Sequence, residues 1–131
     1  MKISAKIKSE FDIHKTIVQT NNSSKEISIA PKQSGLGSSI NGAELLLLSI
    51  ATCFCNDIYR EAAKRNIIVS GVEVTASAEF GAEGEPGSNF QYSTKLTSDS
   101  PLSEIEDLIK YVDKIAEIHG TLRSGTSITL I

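Results

Sequence analysis

Cysteine is scarce in this chain: among 131 residues only Cys53 and Cys55 carry a thiol. A secreted disulfide framework uses more cysteines set farther apart, so that class is excluded and a reducing, cytoplasmic setting is expected. Clustered Lys and Arg are missing as well, and the formal charge is −3, which argues against nucleic acid as the main partner because phosphate binding needs concentrated positive charge. The opening segment MKISAKIKSEF has neither the unbroken apolar run nor the small-residue cleavage site of a secretory signal. The longest apolar run is too short to span a bilayer, so no membrane partner is expected. Tryptophan is absent and aromatic residues make up 5%. What remains, 40% hydrophobic and 22% charged, is globular composition, with a length that suits one domain over residues 1–131.

Ile3, Ala5 and Ile7 alternate with Lys2, Ser4, Lys6 and Lys8, a period of two that predicts a half-buried strand over 2–9. Residues 16–20 and 26–30 read as two more strands, with Asn21-Asn22-Ser23-Ser24 as turn chemistry, giving an antiparallel meander. A Gly- and Ser-rich stretch, 31–40, leads into Asn41-Gly42-Ala43-Glu44, where Asn41 caps a helix and Glu44 closes a capping box. That helix is expected to reach about Arg65. Its first half, Leu45 to Phe54, is apolar on nearly every face and must be covered all round. The second half, Asn56 to Asn66, is amphipathic and is expected to emerge toward solvent. Val72, Val74, Ala76, Ala78 and Phe80 alternate with polar residues as a strand. Gly81 to Gly87 forms a hairpin loop, and Phe90, Tyr92 and Thr94 belong to the returning strand. Ser100-Pro101 opens a second helix with Ile105, Leu108, Ile109, Val112, Ile115 and Ala116 on its apolar face. Gly120 is expected to end it, and residues 126–131 to form a last strand.

Cys53 and Cys55 are the groups of strong intrinsic nucleophilicity, in the middle of the apolar helix. Side chains two apart on a helix diverge by about 200°, so this pair does not readily form a disulfide or clasp one metal, and no metal site is expected. Taken alone, both cysteines read first as small buried hydrophobes. His119, at the expected carboxyl end of the second helix, reads first as an exposed histidine whose charged form the helix dipole favours. Gly35, Gly37 and Gly42 precede a helix amino end, where backbone amides can hold an anion, but no Gly-Lys-Ser/Thr follows and the loop reads as a chain reversal.

The run Asn41-Gly42-Ala43-Glu44-Leu45-Leu46-Leu47-Leu48-Ser49-Ile50-Ala51-Thr52-Cys53-Phe54 resembles the long helix of the OsmC/Ohr family, in which a Glu-Leu-Leu run and small residues lead to a reactive cysteine. The basic helix end Ala63-Lys64-Arg65-Asn66-Ile67 and the later Thr121-Leu122-Arg123-Ser124-Gly125 fit the family's element order. The resemblance implies an α+β, OsmC-like fold of antiparallel strands around a long central helix, assembled as an intertwined homodimer, with no bound cofactor.

Peroxidase members of that family reduce organic hydroperoxides with one cysteine and a second that forms a disulfide with it. The first role falls on Cys53. The second position looks like Ala116, and no cysteine follows Cys55, so turnover would need an external thiol. Those members also place an arginine from the amino-terminal strands beside the thiolate, since a buried thiol without a positive neighbour stays inert. No arginine precedes Arg60 here, leaving Lys15 or His14 as substitutes. A family glutamate near the start of the helix corresponds to Glu44, nine residues before Cys53, where peroxidase members tend to show ten. The resemblance thus implies Cys53 and Glu44 as catalytic residues; Cys55, His119 and Lys15 are candidate neighbours of that site. A second reading is a non-catalytic binder of an apolar ligand or a thiol-bearing anion such as coenzyme A or glutathione, in which Cys53 is part of the pocket wall.

Overall fold

The computed structural model describes residues 1–131 and divides into two compact units, Met1–Leu45 and Leu46–Ile131. In the first unit, β1 (Ile3–Glu10), β2 (Ile13–Thr20) and β3 (Ser23–Ile27) form an antiparallel sheet in that order. Two-residue connections at Phe11-Asp12 and Asn21-Asn22 set the register, with Asp12 at φ 56° and Asn21 at φ 50°. These short polar side chains tolerate the left-handed region because they bond locally. The third strand therefore starts at Ser23, directly after the turn, and ends before the expected 26–30 segment is complete.

Opposed pairs Ile7↔Thr16, Ala5↔Val18 and Thr16↔Ile27 place these residues on one face of the sheet. Ile3, Ile7 and Ile27 on that face are 67%, 54% and 43% exposed, so within the single chain the apolar side of the meander is largely open. The turn segment after β3 closes on Gly35, at φ 83°, where an added Cβ would lie 2.6 Å from the Phe11 ring. Glycine is required there by both the backbone and the space.

The helix α1 (Gly42–Lys64) begins as its sequence dictates. The Asn41 Oδ1 accepts the Glu44 N–H at 2.9 Å and the Glu44 carboxylate accepts the Asn41 N–H at 2.8 Å, a reciprocal capping box. With 23 residues α1 is long enough to cross a bilayer. However, Asp57, Arg60, Glu61 and Lys64 interrupt its second half, and that half is built into a protein core.

The second unit is organised by that core. Phe54, Ile58 and Ala62, one turn apart along α1, pack with Ile105, Leu108, Val112 and Ala116 of the later helical segment. Val72, Val74, Tyr92 and Leu96 of the β4 (Gly71–Glu79) and β5 (Ser88–Thr97) hairpin close over them. Phe54, Ile58, Leu108 and Val112 are completely buried. The second half of α1 is thus amphipathic, with Arg60 and Lys64 on a solvent face, but it is not led out of the core: the i, i+4, i+8 stripe from Phe54 through Ile58 to Ala62 is the centre of the unit. In the first half Ile50 and Phe54 are buried, whereas Leu48 on another face is 60% exposed.

Four further expectations are corrected. The second helix is two: α2 (Leu102–Ile115) stops at Ala116, whose ψ of 114° is extended, and α3 (Glu117–Arg123) starts immediately after. Gly120 lies inside α3 rather than ending it, and Pro101 occupies the N-cap of α2 without a side-chain cap from Ser100. Residues 126–131 form no strand; Ile128 and Leu130 are fully exposed, because the alternation there meets no sheet edge within the chain.

Candidate functional site

The turn of α1 that carries Cys53 also carries Asp57, four residues on and therefore on the same face. The half-buried Cys53 thiol donates to Asp57 Oδ2, with Sγ 3.7 Å away. Asp57 is 3% exposed, a position a carboxylate holds only when paired. Its other oxygen meets Arg60 Nη1 at 2.7 Å. One turn further, the equally buried Glu61 accepts from Arg60 Nε at 3.0 Å and Lys64 Nζ at 2.7 Å, so cations reaching in from the exposed side neutralise a buried acidic stripe.

Burial pushes the Cys53 thiol above its ordinary pKa; the Ile118 backbone N–H that faces the sulfur opposes this, while Asp57 and Glu117 add to the rise. Desolvation likewise raises the Asp57 carboxyl, with Arg60 pulling against it. The site at neutral pH is therefore a thiol hydrogen-bonded to a carboxylate of enhanced basicity. Cys53, Asp57 and Glu117 each offer one ligand atom within 4.8 Å of the others, close enough to share a cation, but the Arg60 ion pair and the thiol already satisfy Asp57.

His119 stands on α3 and is 5% exposed, not at an exposed helix end. It is the third residue of α3, so the dipole favours its neutral form. Its ring sits 4.6 Å from Tyr92 and 5.6 Å from Phe54, centroid to centroid, and both ring nitrogens are buried without a hydrogen-bond partner. Burial holds the imidazole below the usual histidine pKa, Arg123 adding to the effect while Asp113 and Asp57 oppose it. The unfolded chain then takes up the proton first. Stability linked to His119 is accordingly complete above about pH 6.5 and falls as the pH drops toward the lower folded value. Urea midpoints measured from pH 8 to 5 will show this decline, and His119→Phe will flatten it; an unchanged profile would refute the assignment.

Glu44 is engaged in the capping box, nine residues and about 13 Å of helical rise before Cys53. Cys55 points to another face of α1, into a shallow depression with Ala51, Thr52, Asn56 and Val74, and both cysteines are free. In the amino-terminal unit, Lys15 is exposed and pairs across the sheet with Lys8, and the half-buried His14 occupies the opposite face. Ala116, where the family's second cysteine would fall, is buried at the α2–α3 break, in the core against which Cys53 packs. Asp57 and Arg60 were missed in the sequence although their spacings from Cys53, four and seven residues, already mark them as sharing its face.

The family model described as OsmC-like protein matches residues 35–131. Among solved structures, an OsmC-like protein from Mycoplasma pneumoniae superposes with a TM-score of 0.64 at 18% identity, over 94% of this chain and 88% of that one. An organic hydroperoxide resistance protein from Legionella pneumophila gives a TM-score of 0.57 at 19% identity, over 94% and 90%. At such identities these likenesses establish the fold. No curated protein matches the chain.

Proposed function

The chain belongs to the OsmC-like protein family, and from that premise we propose that it reduces organic hydroperoxides with Cys53 as nucleophile, Asp57 as proton acceptor and an external thiol as reductant. The observation that carries this reading is the Cys53–Asp57 hydrogen bond anchored by Arg60. A thiol with a raised pKa is a poor nucleophile by itself, and a carboxylate already bonded to it removes the proton during attack.

In the first step Cys53 sulfur bonds to the distal peroxide oxygen as the O–O bond breaks. The thiol proton passes through Asp57 to the departing alkoxide, so the peroxide is reduced to an alcohol and Cys53 is oxidised to a sulfenic acid. One external thiol then displaces water from that acid to give a mixed disulfide, and a second releases Cys53 as thiol and leaves as the oxidised pair. A dithiol supplies both from one molecule. The test is consumption of cumene hydroperoxide with dithiothreitol: turnover is expected in the unmodified protein and in Cys55→Ser, and background loss in Cys53→Ser. Equal rates in Cys53→Ser would overturn the proposal.

The second reading, a non-catalytic small-molecule binder with Cys53 in its wall, is favoured by the raised Cys53 pKa. It predicts no turnover in any of the three proteins. We also propose that a second copy of the chain covers the exposed apolar surfaces, Ile3, Ile7 and Ile27 on the sheet and Leu48 on α1, since apolar area of this kind is removed from water by association. Sedimentation is expected to give twice the 14.1 kDa chain mass; a stable monomer at micromolar concentration would contradict it.

A further inference from the structure

The second unit contains a cavity of about 120 Å³, walled by Ile50 of α1, Phe90, Gln91 and Tyr92 of β5, and His119, Leu122 and Arg123 of α3. It does not include Cys53. Three of its walls are apolar, Gln91 is exposed to solvent, and two of the remaining polar walls are already committed. The Tyr92 hydroxyl donates to Asp113, and Arg123 donates to the Asp113 carboxylate at 2.6 Å and to its backbone carbonyl at 2.9 Å. The guanidinium charge is thereby neutralised, so the cavity has no free cation for a carboxylate or phosphate.

His119 differs from both. It is 95% buried, and neither ring nitrogen has a partner. Buried polar atoms in folded proteins are bonded in the great majority of cases, and the exceptions call for an explanation. A neutral imidazole offers one donor and one acceptor, which a hydroxyl group can match in either sense. His119 is itself one of the cavity's walls, and a turn about its terminal side-chain torsion, a soft one for histidine, would present a ring nitrogen to a molecule held there. A dry apolar cavity of about 150 Å³ accepts benzene, which sets the scale of molecule that this smaller, open-mouthed cavity admits.

We propose that this cavity is a binding site for a compact, uncharged molecule with an aromatic or aliphatic body and one hydroxyl group, the hydroxyl bonding to His119 and the body lying against Ile50, Phe90 and Leu122. The site stands whichever reading of Cys53 holds, because it uses neither the thiol nor Asp57.

The test uses phenol and benzene as matched probes on the full-length protein, followed by NMR of the His119 ring nitrogens and of the Phe90 ring. Phenol is expected to shift both signals saturably and to bind about tenfold more tightly than benzene. In His119→Phe that preference should vanish while benzene binding persists, and His119→Gln should keep part of it. Should either variant fail to fold, the comparison of the two probes on the unmodified protein still decides. Equal affinity for phenol and benzene, phenol shifts confined to residues outside the cavity, or no saturable shift with either probe would overturn the proposal. Turnover of cumene hydroperoxide plays no part in this readout, so its presence or absence leaves the result intact.

Discussion

Asp57→Asn is expected to slow the reaction of Cys53 with cumene hydroperoxide at pH 7 by roughly 10²–10⁴-fold, the range over which a positioned general base acts. Asparagine keeps the shape of the side chain and an acceptor oxygen but cannot take the thiol proton. Two effects of the substitution oppose each other. The carboxylate charge is one of the influences that hold the thiol pKa up, so its removal favours the thiolate; burial is the larger influence and remains. The loss of the base therefore dominates near neutrality. As the pH rises and the thiol ionises without help, the two rates converge. A purely structural role for Asp57 would give a pH-independent ratio, which is the outcome that would sink the assignment. Arg60 keeps Glu61 as a partner at 3.0 Å, so the substitution does not strand a cation.

Phe54→Ala carries the largest expected cost in stability. Its ring is completely buried, one residue beyond Cys53, and meets Tyr92 at 4.9 Å and His119 at 5.6 Å. Truncating a buried phenylalanine removes transfer energy and leaves a cavity, costing about 3–5 kcal/mol. That is a large share of the roughly 5–15 kcal/mol that holds a domain folded, and corresponds to a melting temperature lower by roughly 10–20 °C. Leu102→Ala, at a site 72% exposed, is expected to cost less than about 0.5 kcal/mol. Comparable losses for the two by differential scanning calorimetry would show that the core is centred elsewhere.

The two substitutions act on neighbouring turns of one helix, and this placement explains what was legible in the sequence. Several signals confined to a few adjacent residues read correctly. The Asn41/Glu44 capping box, the alternation of β4 and β5, and the α1 boundaries are of this kind, as is the family resemblance centred on Cys53. Properties set by tertiary packing did not. Nothing local marks the break at Ala116, because alanine is the best helix former, whereas Gly120 looks like a stop yet lies within α3. Once the break is placed there, His119 moves from a helix end into the core. The strand pattern of residues 126–131 is genuine alternation, but pairing requires an edge that the chain does not provide to itself. Asp57 and Glu61 read as solvent-facing charges since sequence alone does not reveal that Arg60 and Lys64 fold over them.

The covered acidic stripe also explains how this site differs from the one the family resemblance implies. Where an amino-terminal arginine would stabilise the thiolate directly, the helix itself supplies Arg60, and it binds Asp57 rather than the sulfur. In the proposed reaction, activation passes through proton transfer instead of a standing thiolate. With Ala116 in the place of a second cysteine, a Cys53 oxidised in the proposed reaction would find no thiol partner in the carboxyl-terminal helices and would depend on an external thiol.

The most direct measurement is intact-protein mass spectrometry after one equivalent of cumene hydroperoxide in the presence of dimedone, which traps sulfenic acids. A single adduct on Cys53, retained in Cys55→Ser and lost in Cys53→Ser, is the expected result. An unmodified protein, or an adduct carried by Cys55, would contradict the account.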